Sequence, residues 1–479
     1  MVTSVPTQDP GAQPGSVPPT KRGLELIMLA FAAIVVTTAL VLVELNQPQG
    51  VTRSVLYDGA AYLALFGAAH VAVRWFAPYA DPLILPCVAL LNGLGLVMIH
   101  RLDLADEASA ASVGDPIPAG NLPHQIAWTT FGLALFVAVL ALVRDHRMLA
   151  RYGYTCGLVG LAALALPGLL PSAVSEVNGA KIWLRLGGLT IQPGEFAKIL
   201  IMIFVAAFLV TKRDLFTTAG RKVLGMELPR ARDLAPLLAA WGISLGVLVL
   251  EKDLGTSLLF FGIVLVLIYV ATERAAWLVI GLLFFLGGAT VSDMIFKHVQ
   301  QRVTAWINPF SDYDGAGYQM AQSLFGLGTG GVFGTGLGAG RPDLVPEAHT
   351  DFITAAIGEE LGFVGLAAVL LTYLLVVMRG MRAALTVRDT FGKLLAAGLA
   401  FAIGLEVFIV VGGVTKLIPL TGLTAPFLAY GGSSLLANYI LVALLLRISH
   451  AARSPAASAA PRKPVAPLAE AHTEMVQRP

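Results

Sequence analysis

The 479-residue sequence has little charge, since Asp, Glu, Lys and Arg together make up 13% of it. A soluble domain carries about 25% charged residues, and a chain this poor in charge cannot cover a water-facing surface. The net charge of +2 gives no sign of the basic surface that a nucleic-acid-binding protein needs. With 56% hydrophobic residues, the composition predicts a membrane protein that uses lipid as part of its solvent.

Cysteine is scarce as well, and both copies, Cys87 and Cys156, lie in apolar stretches. A disulfide framework needs paired cysteines in loops, and a zinc site needs clustered ligands. Neither pattern is present, and the sequence has no Walker-type glycine loop for a nucleotide. Both cysteines are therefore expected to be ordinary core residues.

Long apolar runs, by contrast, are abundant, and twelve of them are long enough to cross a bilayer. The predicted fold class is an all-α polytopic membrane protein with about twelve transmembrane helices. The runs lie at about residues 24–45, 56–76, 80–100, 124–143, 150–170, 195–211, 234–250, 254–272, 275–296, 351–378, 392–414 and 425–447.

Basic residues orient these spans in the membrane. If the N-terminus is cytoplasmic, about two thirds of the 32 Lys and Arg residues fall in cytoplasmic segments, as the positive-inside rule requires. An even number of spans then returns the C-terminus to the cytoplasm. The long stretches 101–123, 171–194 and 297–350 face outward, the last between the ninth and tenth spans. The first of them, 101–123, is typical of an unstructured connector. Stretches 171–194 and 297–350 differ from it in composition, and long loops that are not disordered are usually functional.

The outward stretch 297–350 holds the densest group of polar and turn residues, including Arg302, Asp312, Asp314 and Gln319. More than half of residues 326–340 are glycine, which permits close approach of the backbone to a ligand but also suits a flexible linker. The interleaved Leu, Val and Phe favour a segment packed at the membrane surface. This stretch is the predicted site of the chemistry.

Ionisable residues inside or beside spans form a second group of candidates. Glu195 and Lys198 are spaced i, i+3 at the start of a span, so they can neutralise each other. Asp253 also opens a span, and both it and Glu195 have the alternative role of helix capping. Glu359 and Glu360 fall within the span that begins near Asp351, and a structural hydrogen bond across helices is an equal alternative for Glu360.

A third signal lies close to the C-terminus, where prolines and glycines interrupt an apolar run. This broken segment runs from Thr415 to Ser434 and includes Lys416 and Ser433. Such breaks at membrane depth are tolerated where they are buried in protein or line a cavity. The segment is therefore expected to contribute to a cavity wall.

Taken together, these segments resemble the SEDS family (shape, elongation, division and sporulation). The resemblance spans residues 150–448 and rests on an ordered set of motifs rather than on one glycine string. The motifs are Asn178-Gly179-Ala180 with Trp183, Gln192-Pro193-x-Glu195-x-x-Lys198, Asp253-Leu-Gly255-Thr256, Asn308-Pro309 to Gly317-Tyr318-Gln319, Pro346-Glu347-x-His349-Thr350-Asp351-Phe352, Glu359-Glu360-Leu-Gly362, Pro419-Leu-Thr421-Gly422 and Tyr430-Gly431-Gly432-Ser433-Ser434.

The resemblance implies a peptidoglycan glycosyltransferase in the bacterial cytoplasmic membrane, with lipid II as donor and acceptor and an extracytoplasmic active site. It also implies a complex with a class B penicillin-binding protein, the transpeptidase that cross-links the product. The family's essential aspartate aligns with Asp312, although Asp314 offers a second carboxylate. Asp312 is then the catalytic base. The residues expected to bind substrate are Arg302, Glu195, Lys198, Asp253, Gln319, His349, Glu360, Lys416 and Ser433.

The diphosphate of lipid II needs positive charge beside it during transfer. Lys416, Lys198, Arg302 or a divalent cation (Mg²⁺ or Mn²⁺) could supply this charge, and the sequence leaves the choice open. No other cofactor is expected, because lipid-diphosphate donors need no nucleotide.

The predicted organisation departs from the family in having two additional spans, which are expected before residue 150. It comprises a disordered cytoplasmic tail (1–23), N-terminal membrane helices (24–148), the SEDS core (149–448) and a second disordered cytoplasmic tail (449–479). The additional spans and the short C-terminal tail resemble actinobacterial members of the RodA branch and favour it over the FtsW branch.

Two other functions remain open at this point. A flippase for lipid-linked sugar suits many spans with broken helices, but the hydropathy pattern has no evident repeat of halves, and the polar residues are concentrated on one side. A non-enzymatic scaffold would suit the tails, but it leaves the loop acids unexplained. Polymer formation from lipid II in detergent, where there is no second leaflet, would separate these alternatives.

Overall fold

The computed structural model describes residues 19–47, 50–114, 116, 119–177, 180–186, 189–212, 221–223, 226–228, 231–251, 253–315 and 317–455. Most of the predicted tails 1–23 and 449–479 lies outside the described residues. So do the motif residues Asn178 and Gly179, as well as much of the basic loop 212–233.

Helices make up most of the described chain. In order they are α1 (Arg22–Leu45), α2 (Ser54–Phe76), α3 (Ile84–Val113), α4 (Leu122–Leu142), α5 (Arg147–Arg151), α6 (Gly153–Leu169), α7 (Ser172–Ser175), α8 (Pro193–Thr211), α9 (Ala231–Leu250), α10 (Leu254–Thr272), α11 (Ala276–Ile295), α12 (Lys297–Ile307), α13 (Tyr318–Gly330), α14 (Ile353–Thr386), α15 (Thr390–Val414) and α16 (Gly432–Arg453). The 3₁₀ turns are Pro309–Asp312 and Pro342–Leu344.

Among the described residues, 10 helices are long and apolar enough to cross a membrane. They are α1–α4, α8, α10, α11 and α14–α16. Helix α6 and the apolar part Leu238–Val247 of α9 are shorter, and these occupy two of the twelve predicted runs. The fold is a multi-helix membrane bundle, and the count of twelve spans stays a prediction.

The expected helical membrane fold is confirmed, and two short antiparallel hairpins accompany the helices. Strand β1 (Leu184–Leu186) pairs with β2 (Leu189–Ile191), and β3 (Arg221–Val223) pairs with β4 (Met226–Leu228). Residues 184–191 alternate apolar and polar side chains around Gly-Gly, a pattern of period two that typifies a hairpin. A search for long apolar runs does not detect so short a pattern.

Two of the predicted outward stretches are also more helical than expected. Helix α3 continues to Val113, because the Ala-rich sequence after Leu102 has high helix propensity. Residues 297–350 contain α12, α13 and both 3₁₀ turns. Helix α12 is amphipathic, with Val299, Val303 and Ile307 at i, i+4 spacing and polar residues between them, so its average hydropathy is too low to mark it as a span.

Helix α14 is interrupted at Gly362, whose backbone has φ 69° and ψ −170°. An L-residue with a side chain rarely adopts this conformation, which explains glycine at this position. Beyond the break, the Phe363 N–H donates to the Gly331 carbonyl at 2.9 Å, and the Thr335 N–H donates to the Glu359 carbonyl at 3.0 Å. The predicted continuous span is therefore two helices, and the glycine-rich stretch runs along the break.

Helix α3 lies at the centre of the bundle, and 89% of its most apolar 18-residue stretch is buried. It packs against α1 on one side and α14 on another. Arg22 and Arg453, close to the two chain termini, both bond to the Ala80 carbonyl. The described ends of the chain thus meet at one end of the bundle, opposite the end that carries residues 297–350, which we call the loop end.

Candidate functional site

Asp312 lies in the 3₁₀ turn that follows α12, and local hydrogen bonds set its position. The Asn308 side chain caps the turn by accepting from the Phe310 N–H at 3.2 Å. The Asp312 carbonyl accepts from the Gly317 N–H at 3.0 Å and from the Gly315 N–H at 3.2 Å. The backbone on both sides of Asp312 is thereby fixed, while its side chain is exposed.

The Asp312 side chain lines an open cleft with a volume of about 340 Å³. Asp314, two residues further on, is exposed but does not line this cleft. Much of the cleft's lining is apolar surface, and its polar groups are amides, hydroxyls, the Lys297 ammonium and the Asp312 carboxylate. Its lining residues are Lys297, Gln300, Gln301, Thr304, Ala305, Asn308, Ser311, Asp312 and Gly317.

Glu195 and Lys198 form the predicted ion pair, with 2.7 Å between Lys198 Nζ and Glu195 Oε2. A second carboxylate completes the group, since Glu406 Oε2 of α15 lies 2.9 Å from the same Nζ. All three side chains are buried. With two carboxylates on one ammonium, Lys198 has no excess positive charge to offer a diphosphate. The capping alternative for Glu195 is not seen, because Gln192 precedes the helix and no side chain caps it.

Asp253 takes the capping role that was its alternative, since its Oδ1 accepts from the Thr256 N–H at 2.9 Å. Arg302 of α12 reaches the broken segment, where Nη1 donates to the Thr421 carbonyl at 2.9 Å and to the Leu420 carbonyl at 3.3 Å. Asp253 and Asp351 are close enough to attract the same guanidinium. Arg302 therefore holds together α12, the start of α10 and the broken segment.

Glu360 makes a structural hydrogen bond across helices, which was the alternative to a functional role. Its Oε1 accepts from Arg101 Nε of α3 at 2.8 Å, and its Oε2 accepts from the Gly338 N–H at 3.0 Å. Arg101 also donates to the Gly340 carbonyl at 2.7 Å. This pair joins α3, α14 and the glycine-rich stretch.

The remaining predicted residues connect the outward segments to one another. The Lys416 backbone is left-handed, with φ 62°, and its carbonyl accepts from Trp306 Nε1 at 3.0 Å. Gln319 Nε2 donates to the Pro346 carbonyl at 2.9 Å. The His349 carbonyl accepts from the Tyr430 N–H at 2.7 Å. Ser433 Oγ accepts from the Gln192 N–H at 2.8 Å.

Glu195, Lys198 and the broken segment do not line the Asp312 cleft. Their polar atoms instead take part in the contacts between helices and segments described above. Their roles in substrate binding stay predictions.

Several residues of interest were missed at the sequence level. Glu406 is the single acid of the apolar helix α15, and its isolation there was a usable signal. Lys297, Gln300, Gln301 and Thr304 share one face of an amphipathic helix, and a search for spacing outside the spans could have found them. Among the described residues, no group of three or more His, Cys, Asp or Glu side chains could hold a metal ion.

A family model of cell cycle proteins that covers FtsW, RodA and SpoVE matches residues 82–454, which leaves α1 and α2 outside the match. Peptidoglycan glycosyltransferase RodA of Mycobacterium tuberculosis is 59% identical over 461 residues, covering 96% of this chain and 97% of the relative. The probable peptidoglycan glycosyltransferase FtsW of Trichlorobacter lovleyi is 34% identical over 379 residues, covering 77% and 93%.

Among solved structures, one described as "Structural coordination of polymerization and crosslinking by a peptidoglycan synthase complex" is similar, with a TM-score of 0.60. It is 26% identical and covers 77% of this chain and 97% of the matched chain. The likeness extends to the overall arrangement of the helices.

Proposed function

The chain belongs to the family of cell cycle proteins that includes FtsW, RodA and SpoVE, and from this premise we propose that it is a peptidoglycan glycosyltransferase of the RodA type. Identity to RodA is 59% over nearly the whole chain, against 34% to FtsW over a shorter part. The RodA branch favoured by the sequence is therefore supported, and the enzyme would act in cell elongation.

The proposed substrate is lipid II, a disaccharide-peptide carried on an undecaprenyl diphosphate. The Asp312 carboxylate takes the proton from the 4-hydroxyl of the acceptor's terminal sugar as the oxygen attacks the anomeric carbon of the donor. The new glycosidic bond forms as the bond from that carbon to the diphosphate breaks, and undecaprenyl diphosphate leaves. The proton then passes from Asp312 to water. The observation that carries this assignment is that Asp312, and not Asp314, lines the cleft.

A divalent cation beside the diphosphate stays a prediction, and the step above uses the chain's own carboxylate. We place the cleft outside the cytoplasmic membrane, because the positive-inside rule puts residues 297–350 there. A class B penicillin-binding protein is the proposed partner, in keeping with the synthase complex to which this chain is structurally similar.

The flippase alternative is not favoured, because the relatives are named glycosyltransferases. The test is polymerisation of lipid II by the purified protein with its partner in detergent. We expect glycan polymer from the wild type and a loss of at least about a hundredfold in rate for Asp312→Asn, since a general base contributes roughly 10²–10⁴.

Asp314→Asn is the matched control, because this residue is equally exposed and two positions away. Its rate should stay close to wild type. Full activity of Asp312→Asn, or a comparable loss in Asp314→Asn, would contradict the assignment of the base. Absence of polymer from the wild type would contradict the proposed function itself.

A further inference from the structure

The Asp312 cleft runs along α12, because a single face of that helix forms most of it. Lys297, Gln300 or Gln301, and Thr304 are spaced at i, i+3 or i+4, and i+7 along this helix, and Asp312 follows at its far end. Helix α12 has 11 residues and therefore rises roughly 16 Å. The Lys297 ammonium and the Asp312 carboxylate thus belong to opposite ends of one cleft.

Lys297 lies where the apolar span ends. Helix α11 stops at Ile295, Phe296 is extended, and Lys297 is the first residue of α12. An exposed lysine directly after a span sits at the level of the lipid headgroups. This is also the level at which the diphosphate of a polyprenyl-linked substrate emerges from the membrane.

Two of the three side-chain cations first considered for the diphosphate are engaged elsewhere, and the third, Lys416, does not line the cleft. Lys198 lies between two carboxylates, and Arg302 donates to two backbone carbonyls. For Lys297, within the described part of the chain, no ion pair is recorded. Of these four cations, Lys297 is the one that lines the cleft with Asp312.

The middle of the cleft offers the groups that bind sugars. Gln300, Gln301 and Thr304 supply amide and hydroxyl groups, which can both donate and accept hydrogen bonds. The volume of about 340 Å³ is within the range of small-ligand pockets, roughly 300–1,000 Å³. Uncharged hydrogen-bonding groups beside apolar surface, placed between an ammonium and a carboxylate, match a sugar that carries a diphosphate at one end.

The spacing distinguishes the two substrates of the reaction. In the donor, the diphosphate is bonded to the reacting carbon, so a cation that binds it would stand beside the base. In the acceptor, a disaccharide separates the diphosphate from the reacting 4-hydroxyl. We propose that the cleft is the acceptor subsite, in which Lys297 binds the diphosphate, Gln300, Gln301 and Thr304 bind the sugars, and Asp312 meets the hydroxyl. This inference rests on the proposed function.

The test is a single transfer between two blocked substrates, catalysed by the full chain with its partner. The donor has its 4-hydroxyl inverted and cannot accept, and the acceptor has a methylene in place of the anomeric oxygen and cannot donate. We expect Lys297→Ala and Lys297→Gln to raise the KM for the acceptor about tenfold, as for loss of one charge-assisted contact. The KM for the donor and the kcat should stay within about twofold of wild type.

Lys297→Arg keeps the charge and should restore the acceptor KM. Lys181→Ala, a lysine of another outward stretch, is the matched control and should have no effect. A second acceptor with one phosphate should bind the wild type more weakly than the diphosphate acceptor does. In the Lys297→Ala variant, the affinities of the diphosphate and monophosphate acceptors should differ much less than in the wild type.

A rise in the donor KM alone, or no change in either KM, would overturn the assignment of the acceptor subsite. Failure of the wild type to join the two substrates would instead count against the proposed glycosyltransferase. Because Lys297 is exposed, its variants should unfold at the wild-type temperature. A kinetic change can then be attributed to binding rather than to folding.

Discussion

Gly315 leaves room for the side chain on which the proposed chemistry depends. A Cβ at this position would lie 2.5 Å from Asp312 Oδ1 and 2.6 Å from Oδ2. Gly315→Ala should therefore displace the carboxylate without altering the fold, because no positive φ is needed there. Displacement of a catalytic group by about 1 Å costs on the order of a hundredfold. We expect a fall of that size in the rate of lipid II polymerisation.

Gly328→Ala is the control for this prediction. Gly328 lies in α13 with nothing within 4 Å of its added Cβ. Alanine there should leave the activity unchanged and, if anything, stabilise the helix. Wild-type activity in Gly315→Ala would mean that the carboxylate has room to move without loss of function.

At the scale of single residues, the sequence predicted which residues matter better than it predicted what each of them contacts. The motifs singled out Asp312, which lines the cleft, and the pairing of Glu195 with Lys198 followed from their spacing. What could not be predicted was the third member, Glu406, which is distant in sequence and meets Lys198 only when α8 packs on α15. Partners across helices depend on tertiary packing, which local spacing does not contain.

At the scale of elements, Asp389 joins α15 to the segment that precedes α5. Its Oδ1 caps α15 by accepting from the Gly392 N–H at 2.7 Å, and its Oδ2 lies 2.9 Å from Nε2 of the buried His146. Burial alone would raise the pKa of Asp389, but the bonds from His146 and Gly392 outweigh it and lower the pKa to about 2. The carboxylate is thus more stable in the folded protein than in the unfolded chain.

A folded pKa below the unfolded value of 3.8 stabilises the protein above that pH, and the contribution is lost as the pH falls towards 2. Asp389→Asn keeps a capping group but removes the charge. We expect it to cost about 2 kcal/mol at pH 7. The difference from wild type should narrow as the pH falls from 4 towards 2, measured as thermal unfolding in detergent. A pH-independent difference between Asp389→Asn and wild type would contradict the prediction.

Among the elements themselves, the long apolar runs were predicted well because hydropathy reports burial in lipid directly. Three features were not predicted, namely α12, the hairpin β1–β2 and the break at Gly362. The first two have short or mixed patterns. The break depends on bonds between α14 and residues 331–336, which are tertiary contacts.

At the scale of the whole molecule, α1 and α2 lie outside the matched family region, yet they are tied to it at both ends of the bundle. At the loop end, Glu44 Oε1 lies 3.2 Å from His100 Nε2 of α3, and Asn46 Nδ2 donates to the Leu337 carbonyl at 2.5 Å. At the opposite end, Arg447 of α16 donates to the Phe76 carbonyl at the end of α2, while Glu25 joins α1 to α2 through His70 Nδ1 at 2.7 Å and also pairs with Arg22. The two helices are an integral part of the bundle, and much of the burial of α3 depends on them.

The pair at the end opposite the loop should carry more of the stability, because it is fully buried. Glu25 and Arg22 are 0% and 4% exposed, and Arg22 also bonds to the Ala80 carbonyl beyond α2. Glu25→Gln leaves the Arg22 charge buried without its partner, which costs about 3–5 kcal/mol. We expect a clear fall in the unfolding temperature, with polymerisation retained well below it, since the Asp312 cleft is at the other end. Glu107→Gln, a half-buried acid of α3 for which no ion pair is recorded in the described part of the chain, should change stability by less than about 0.5 kcal/mol. Equal unfolding temperatures for Glu25→Gln and wild type would mean that α1 is held by its apolar contacts alone.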